Sequence, residues 1–120
     1  MILEFATHRR SVDPLTLLYV DIDNFTSIND RYGAPAGDAV LCQLGALLRA
    51  RFRMDDMVAR VGGGEFAVLL RLVDADRGAM LALWILNAVR NEPFRFADIP
   101  VPATVSIGVC TREAESLINP

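Results

Sequence analysis

Apolar and polar positions alternate along this chain in two rhythms, one near every third or fourth residue and one nearly continuous over short runs. In residues 1–12, MILEFATHRRSV, Ile2, Phe5 and Ala6 share a face and arginines follow, which predicts the end of a helix. Asp13-Pro14 is a turn signal. LTLLYVD at 15–21 is short and almost wholly apolar, the pattern of a strand buried on both faces. NFTSINDRYG at 24–33 predicts a short helix with Phe25, Ile28 and Tyr32 on one side and Gly33 closing it. From Ala36 to Arg53, Val40 or Leu41, Leu44, Leu47, Leu48 and Phe52 recur at helical spacing.

MVARVG and EFAVLLRLV read as two strands of a hairpin around three glycines. ADRGAMLALWILNAVRN at 75–91 is a helix apolar on nearly all sides, so it is either buried or part of an interface. VPATVSIGV at 101–109 is a final strand, and TREAESLINP carries no clear pattern. The order αβααββαβ, in one domain over residues 1–120, predicts an α/β fold with a mixed sheet.

Composition narrows the class. Apolar residues make up 52% and charged residues 22%, which fits a domain with a core. The net charge of −3 argues against a general nucleic-acid partner. All 12 basic residues are arginine, so charged contacts to phosphate fall to arginine or to the lone His8. Cys42 and Cys110 sit in apolar runs without CxxC spacing and read as reduced core residues of a cytoplasmic protein. The apolar run AMLALWIL at 79–86 is too short to span a bilayer, and the N-terminus lacks a signal-peptide pattern.

Four short stretches carry candidate chemistry, each beside a purely structural alternative. DID at 21–23 ends a strand, where Asp21 and a neighbouring carbonyl suit a hard cation such as Mg²⁺; alternatively Asp23 caps the next helix. In GAPAGD, Asp38 is by default an N-cap and alternatively holds a ligand donor. Asn29 has a donor and an acceptor suited to a base edge. Gly62, Gly63 and Gly64 let the backbone approach an anion, or simply make a hairpin turn. Arg53 and Asp56, with Arg60 following, can grip a phosphate and a guanine edge, or form a solvated ion pair.

Taken in order, LTLLYVDIDNFTSINDRYGAPAGD, RMDD, RVGGGEFAVLL and TVSIGV resemble the GGDEF domain of diguanylate cyclases over residues 2 to 109. The resemblance implies a palm-like fold of about five strands wrapped by helices. Active members of that family condense two GTP into cyclic di-GMP as homodimers with Mg²⁺, and the resemblance implies a homodimer or a partner signalling domain here. Asp21 and the Ile22 carbonyl would bind the metal, Asn29 and Asp38 the guanine, and Gly62 and Gly63 the phosphates. Arg53, Asp56 and Arg60 would form the product-binding inhibitory site.

Departures from the family pattern shift that expectation. The acid expected at the third turn position is Gly64, which removes a metal ligand and a proton acceptor. Glu65 is the next residue on a strand, so its side chain is expected on the other face. Thr26 and Ala34 stand where the family has lysine and histidine. The family's N-terminal segment and its C-terminal helix and strand are not matched. The resemblance therefore implies a degenerate GGDEF signalling domain, catalytically impaired, that binds cyclic di-GMP. An active cyclase, and a structural, dimerisation or GTP-binding module, stand as alternatives.

Overall fold

The computed structural model describes residues 13–53 and 56–113. The helix expected in residues 1–12 lies outside the described residues. The chain opens on β1 (Leu15–Ile22), which alternates strictly between half-buried and buried positions. Thr16, Leu18, Val20 and Ile22 point into the core, at 2% exposure or less. Leu15, Leu17, Tyr19 and Asp21 occupy the other face and are half-buried, so the expected burial on both faces holds for one.

Two helices follow with one residue between them. α1 (Phe25–Tyr32) buries Ile28 and packs Phe25 and Tyr32 against the core. Gly33 separates it from α2 (Ala34–Arg51), at a φ of +93° that glycine adopts readily. Pro35 sits in the first turn of α2, where its fixed φ suits a helix start. The helix therefore begins two residues before the expected Ala36 and ends at Arg51. Val40, Leu41, Leu44 and Leu48 form its buried stripe.

β2 (Met57–Gly62) and β3 (Glu65–Arg71) form the expected hairpin. α3 (Ala75–Asn91) buries Leu81, Ala82, Ile85 and Val89 while leaving Met80, Leu83 and Trp84 exposed. A small hairpin of β4 (Phe94–Phe96) and β5 (Ile99–Val101) precedes β6 (Val105–Arg112). Its turn residues Ala97 and Asp98 both have positive φ. Neither is the Gly or Asn that signals such a turn, so the sequence pattern passes over it. Gln43 holds this hairpin on α2 by bonding both the N–H (2.9 Å) and the carbonyl (2.5 Å) of Arg95.

The main sheet has the order β2-β3-β1-β6, and each ladder is antiparallel. β1 and β2 run the same way with β3 between them; β3 and β6 run the same way with β1 between them. These are two interlocked split β-α-β units. Within the α/β class the sequence predicts, the expected mixed sheet of about five strands is thus four strands plus a separate pair. Parallel strands never adjoin, because each helical crossover skips one strand. α2 and α3 send their apolar stripes to the face carrying Leu18, Val20, Phe66 and Val68, and one core joins them.

Both cysteines are exposed and free, contrary to their expected burial. Cys42 follows the inward Leu41 on α2 and turns outward. Cys110 pairs with Leu17 across the ladder, on the face away from the helices. No helix among the described residues is long and apolar enough to cross a membrane.

Among the described residues Thr16 is the one polar residue buried as a whole, and its hydroxyl ties three elements. It bonds the Val73 carbonyl at 2.6 Å, just before α3, and the Thr111 hydroxyl at 2.9 Å on β6. Thr16→Val keeps the shape and removes both bonds. It is expected to lower unfolding free energy by about 1–3 kcal/mol in urea titrations, without changing the m-value.

Candidate functional site

The carboxyl end of β1 meets the glycine turn. Asp21 pairs with Glu65 across the β1–β3 ladder, which puts both carboxyl groups on the face away from the helices. Tyr19 lies two residues back on the same face. Hydrogen bonding toward Glu65 first, then desolvation and the charges of Glu65 and Asp21, raise its pKa above the ordinary value. Asp21 is also raised, first by desolvation and then by the charges of Glu65 and Asp23.

The strand end is fastened on both sides. Ile22 N–H donates to the Gly64 carbonyl at 2.8 Å, and Asp23 N–H donates to the Thr104 carbonyl at 2.9 Å. The Asp23 carboxylate accepts from the hydroxyls of Thr104 and Ser106, each at 2.6 Å. Asp23 therefore does not cap α1. Asn24 occupies the N-cap position in a left-handed conformation, without a side-chain cap bond.

Gly63 and Gly64 form the turn itself, between the paired Gly62 and Glu65. Gly64 has a φ of +78°, and a Cβ built on it would lie 2.8 Å from the Phe25 ring. A side chain at position 64 would thus head toward α1, while Glu65 faces Asp21. Gly62 is crowded by the Glu65 carboxylate, whereas Gly63 is open. Arg60 donates from Nε to the Gly62 carbonyl at 3.1 Å. The bulge in β2 between Arg60 and Gly62 carries it toward this turn, so it does not join Arg53 and Asp56 as expected.

Asn29 and Asp38 come from adjacent helices. The Asn29 amide lies against Gly37, where a Cβ would collide with it. Asp38 follows directly and is exposed in the second turn of α2. It is not an N-cap, because the helix starts earlier at Ala34. Its carboxylate is left for solvent or a ligand.

A second corner forms where α2 ends. Asp56 accepts from Arg53 N–H at 3.1 Å and lies 3.5 Å from Arg53 Nε. Arg53 also donates from Nη2 to the Arg71 carbonyl at 3.0 Å. The Asp56 side chain is only 2% exposed, against 61% for Arg53. Its Oδ1 is buried and has no hydrogen-bond partner among the described residues. Such an oxygen normally has one. Asp56 lines two clefts, one of about 250 Å³ with Arg49, Phe52, Arg53 and Val58 and one of about 100 Å³ that also includes Arg53.

Comparison with known proteins places these features. The sequence profile described as "Diguanylate cyclase, GGDEF domain" matches residues 3–118. The chain belongs to the GGDEF domain family. It is 39% identical over 110 residues to diguanylate cyclase DgcP of Pseudomonas aeruginosa, covering 92% of this chain and 16% of that protein. The fold is similar to the FimX GGDEF domain of Pseudomonas aeruginosa, with a TM-score of 0.79, 28% identity, and coverage of 88% of this chain and 65% of that one. It is also similar to the GGDEF domain of DgcB from Caulobacter crescentus, solved in complex with c-di-GMP. There the TM-score is 0.76 and the identity 26%, covering 83% of this chain and 60% of that one. The chain thus spans less than two thirds of each of these relatives.

Within this GGDEF domain, the donor set for a metal is thin. Among the described residues no group of three His, Cys, Asp or Glu side chains could hold one. Asp21 and Glu65 supply two carboxylates that repel each other, and Asp23 is engaged by two hydroxyls. Mg²⁺ is usually bound through one or two carboxylates with substrate phosphates completing its shell, a donor number the pair would match. Sequence reasoning misses Tyr19, Thr104 and Ser106. Their alternation toward one face with Asp21 and Glu65 becomes visible only once the ladder register is known.

Two outcomes test this geometry. In the folded protein Asp21 is harder to ionise than in the unfolded chain. Its carboxylate therefore costs stability above the raised pKa and nothing below the ordinary one. Asp21→Asn is expected to raise Tm at about pH 7 and to leave it unchanged at about pH 3. At the turn, Gly64→Ala forces a side chain into a positive φ beside Phe25. It is expected to cost about 1–3 kcal/mol in denaturant titrations.

Proposed function

We propose that this GGDEF domain is a cyclic di-GMP-binding signalling domain with impaired cyclase chemistry. The observation that carries the reading is the buried Asp56 carboxylate, with one oxygen unpaired among the described residues, in the lining of two arginine-lined clefts. An unpaired buried carboxylate oxygen accepts the N–H donors of a guanine edge, and Arg53 and Arg49 meet a phosphate. The DgcB domain, similar in fold, was solved with c-di-GMP.

At the other corner, Gly64 supplies no acid. Glu65 faces Asp21 across the ladder, with Tyr19 on the same face. Asp21 and the Ile22 carbonyl would hold Mg²⁺, which when bound neutralises nucleotide phosphates. Asn29 and Asp38 would meet a guanine there, and the Gly62–Gly63 backbone its phosphates. What this corner lacks is the acid at position 64, which would take a proton from an attacking hydroxyl.

A second reading, an active cyclase making cyclic di-GMP from two GTP as a homodimer, is favoured by one observation. Asp21 and Glu65 stand side by side on an accessible face.

Calorimetric titration with cyclic di-GMP is expected to give micromolar or tighter affinity. Arg53→Ala and Asp56→Asn are each expected to weaken it by about tenfold to a hundredfold. With GTP and Mg²⁺, the wild-type chain is expected to form no cyclic di-GMP above background. Sustained formation would select the second reading. Absence of binding heat would overturn the first.

A further inference from the structure

We infer that Trp84, with Arg51 and Arg77, extends the Arg53–Asp56 corner into a base-stacking site, so that one guanine of cyclic di-GMP lies on the indole face. This inference rests on reading that corner as a cyclic di-GMP site. It adds residues that neither the Arg53–Asp56 spacing nor the glycine turn singles out. In the sequence Trp84 is only one member of an apolar helix.

Three observations converge. Trp84 is 40% exposed on α3, a large aromatic side chain that the core does not absorb. The Arg51 guanidinium sits 5.0 Å from its ring centroid. Arg51 also lines the smaller cleft beside Asp56, together with Arg53, Arg77 and Leu81. Arg77, Leu81 and Trp84 are spaced by four and then three residues, so they form one edge of α3 facing the end of α2. One surface therefore carries three guanidinium groups, a buried carboxylate with a free oxygen, and a flat ring.

The chemistry of that surface matches a purine nucleotide. A guanidinium resting on an indole marks a ring face open to a flat group and electron-rich. A guanine is a larger flat group than a guanidinium and stacks on the same face. Arg51, relieved of the ring, stays within reach of the cleft it lines and can bond a phosphate beside Arg53 and Arg77. The Asp56 oxygen then meets the donor edge of a base. Pairing, stacking and charge neutralisation come from separate residues, which separates their tests.

Trp84 is the only tryptophan in the chain, so its emission reports this site alone. Cyclic di-GMP is titrated into the full chain while tryptophan fluorescence and calorimetric heat are followed in parallel. Emission is expected to be quenched along the calorimetric isotherm. Trp84→Ala is expected to weaken affinity about tenfold, and Trp84→Phe to retain most of it, with far-UV circular dichroism confirming the fold. Arg77→Ala is expected to weaken binding and to make it less salt-dependent, since one phosphate contact is lost. Binding heat that Arg53→Ala abolishes, with emission unchanged and Trp84→Ala at wild-type affinity, overturns the stacking site and leaves the corner reading intact. No binding heat with the wild-type chain overturns both.

Discussion

β1 is bonded along both edges, to β3 on one side and β6 on the other, and its two-residue alternation assigns every other side chain in the sheet to a face. A slip of one residue would send Asp21 into the apolar core and Val20 outward. The hydrophobic cost of that slip fixes the register. Because Asp21 is fixed, so is Glu65 opposite it, and through Glu65 the start of β3 and the glycine turn. The acidic corner is thus a by-product of where Leu18, Val20 and Ile22 must go. The Thr16 hydroxyl adds a polar lock inside that core, joining the same strand to β6 and to the approach to α3.

The two functional corners lie on different parts of this frame and use different physics. At the end of β1, like charges are crowded together, and the structure holds them there against their repulsion by backbone bonds. At the end of α2, a single acid is buried among arginines, and one of its oxygens is left over. On the proposed reading the first arrangement would suit a cation with phosphates, and the second an anion that carries its own hydrogen-bond donors.

The long periodic elements were legible in the sequence because their signals are repetitive. β1, α2, α3 and the β2–β3 hairpin each carry a pattern several residues long, and tertiary context had only to select among consistent readings. What was illegible depended on single residues. Pro35 moved the start of α2 forward and so removed Asp38 from the cap position. The bulge in β2 carried Arg60 to the glycine turn rather than to Arg53. Cys42 and Cys110 sit in apolar runs but on outward positions, a matter of phase and not of composition. The hairpin turn at Ala97 and Asp98 left no mark because its residues are not the usual ones. The candidate site was named in the sequence as residues and not as an arrangement. Asp21, Asn29, Asp38, Arg53 and Asp56 were candidates whose roles came only with the family resemblance, whereas Tyr19, Thr104 and Ser106 join Asp21 and Asp23 only in the folded sheet.

The ties at the end of β1 run through backbone amides, a carbonyl and two hydroxyls. None of them passes through a side chain at position 64. The architecture of this corner and its chemistry are therefore independent inheritances. An acid can be gained or lost at the turn without loosening the strand end that displays it, apart from the local strain of a side chain at that φ. At position 64 the fold weighs only that strain, and the backbone ties that display the strand end stay the same whichever side chain stands there.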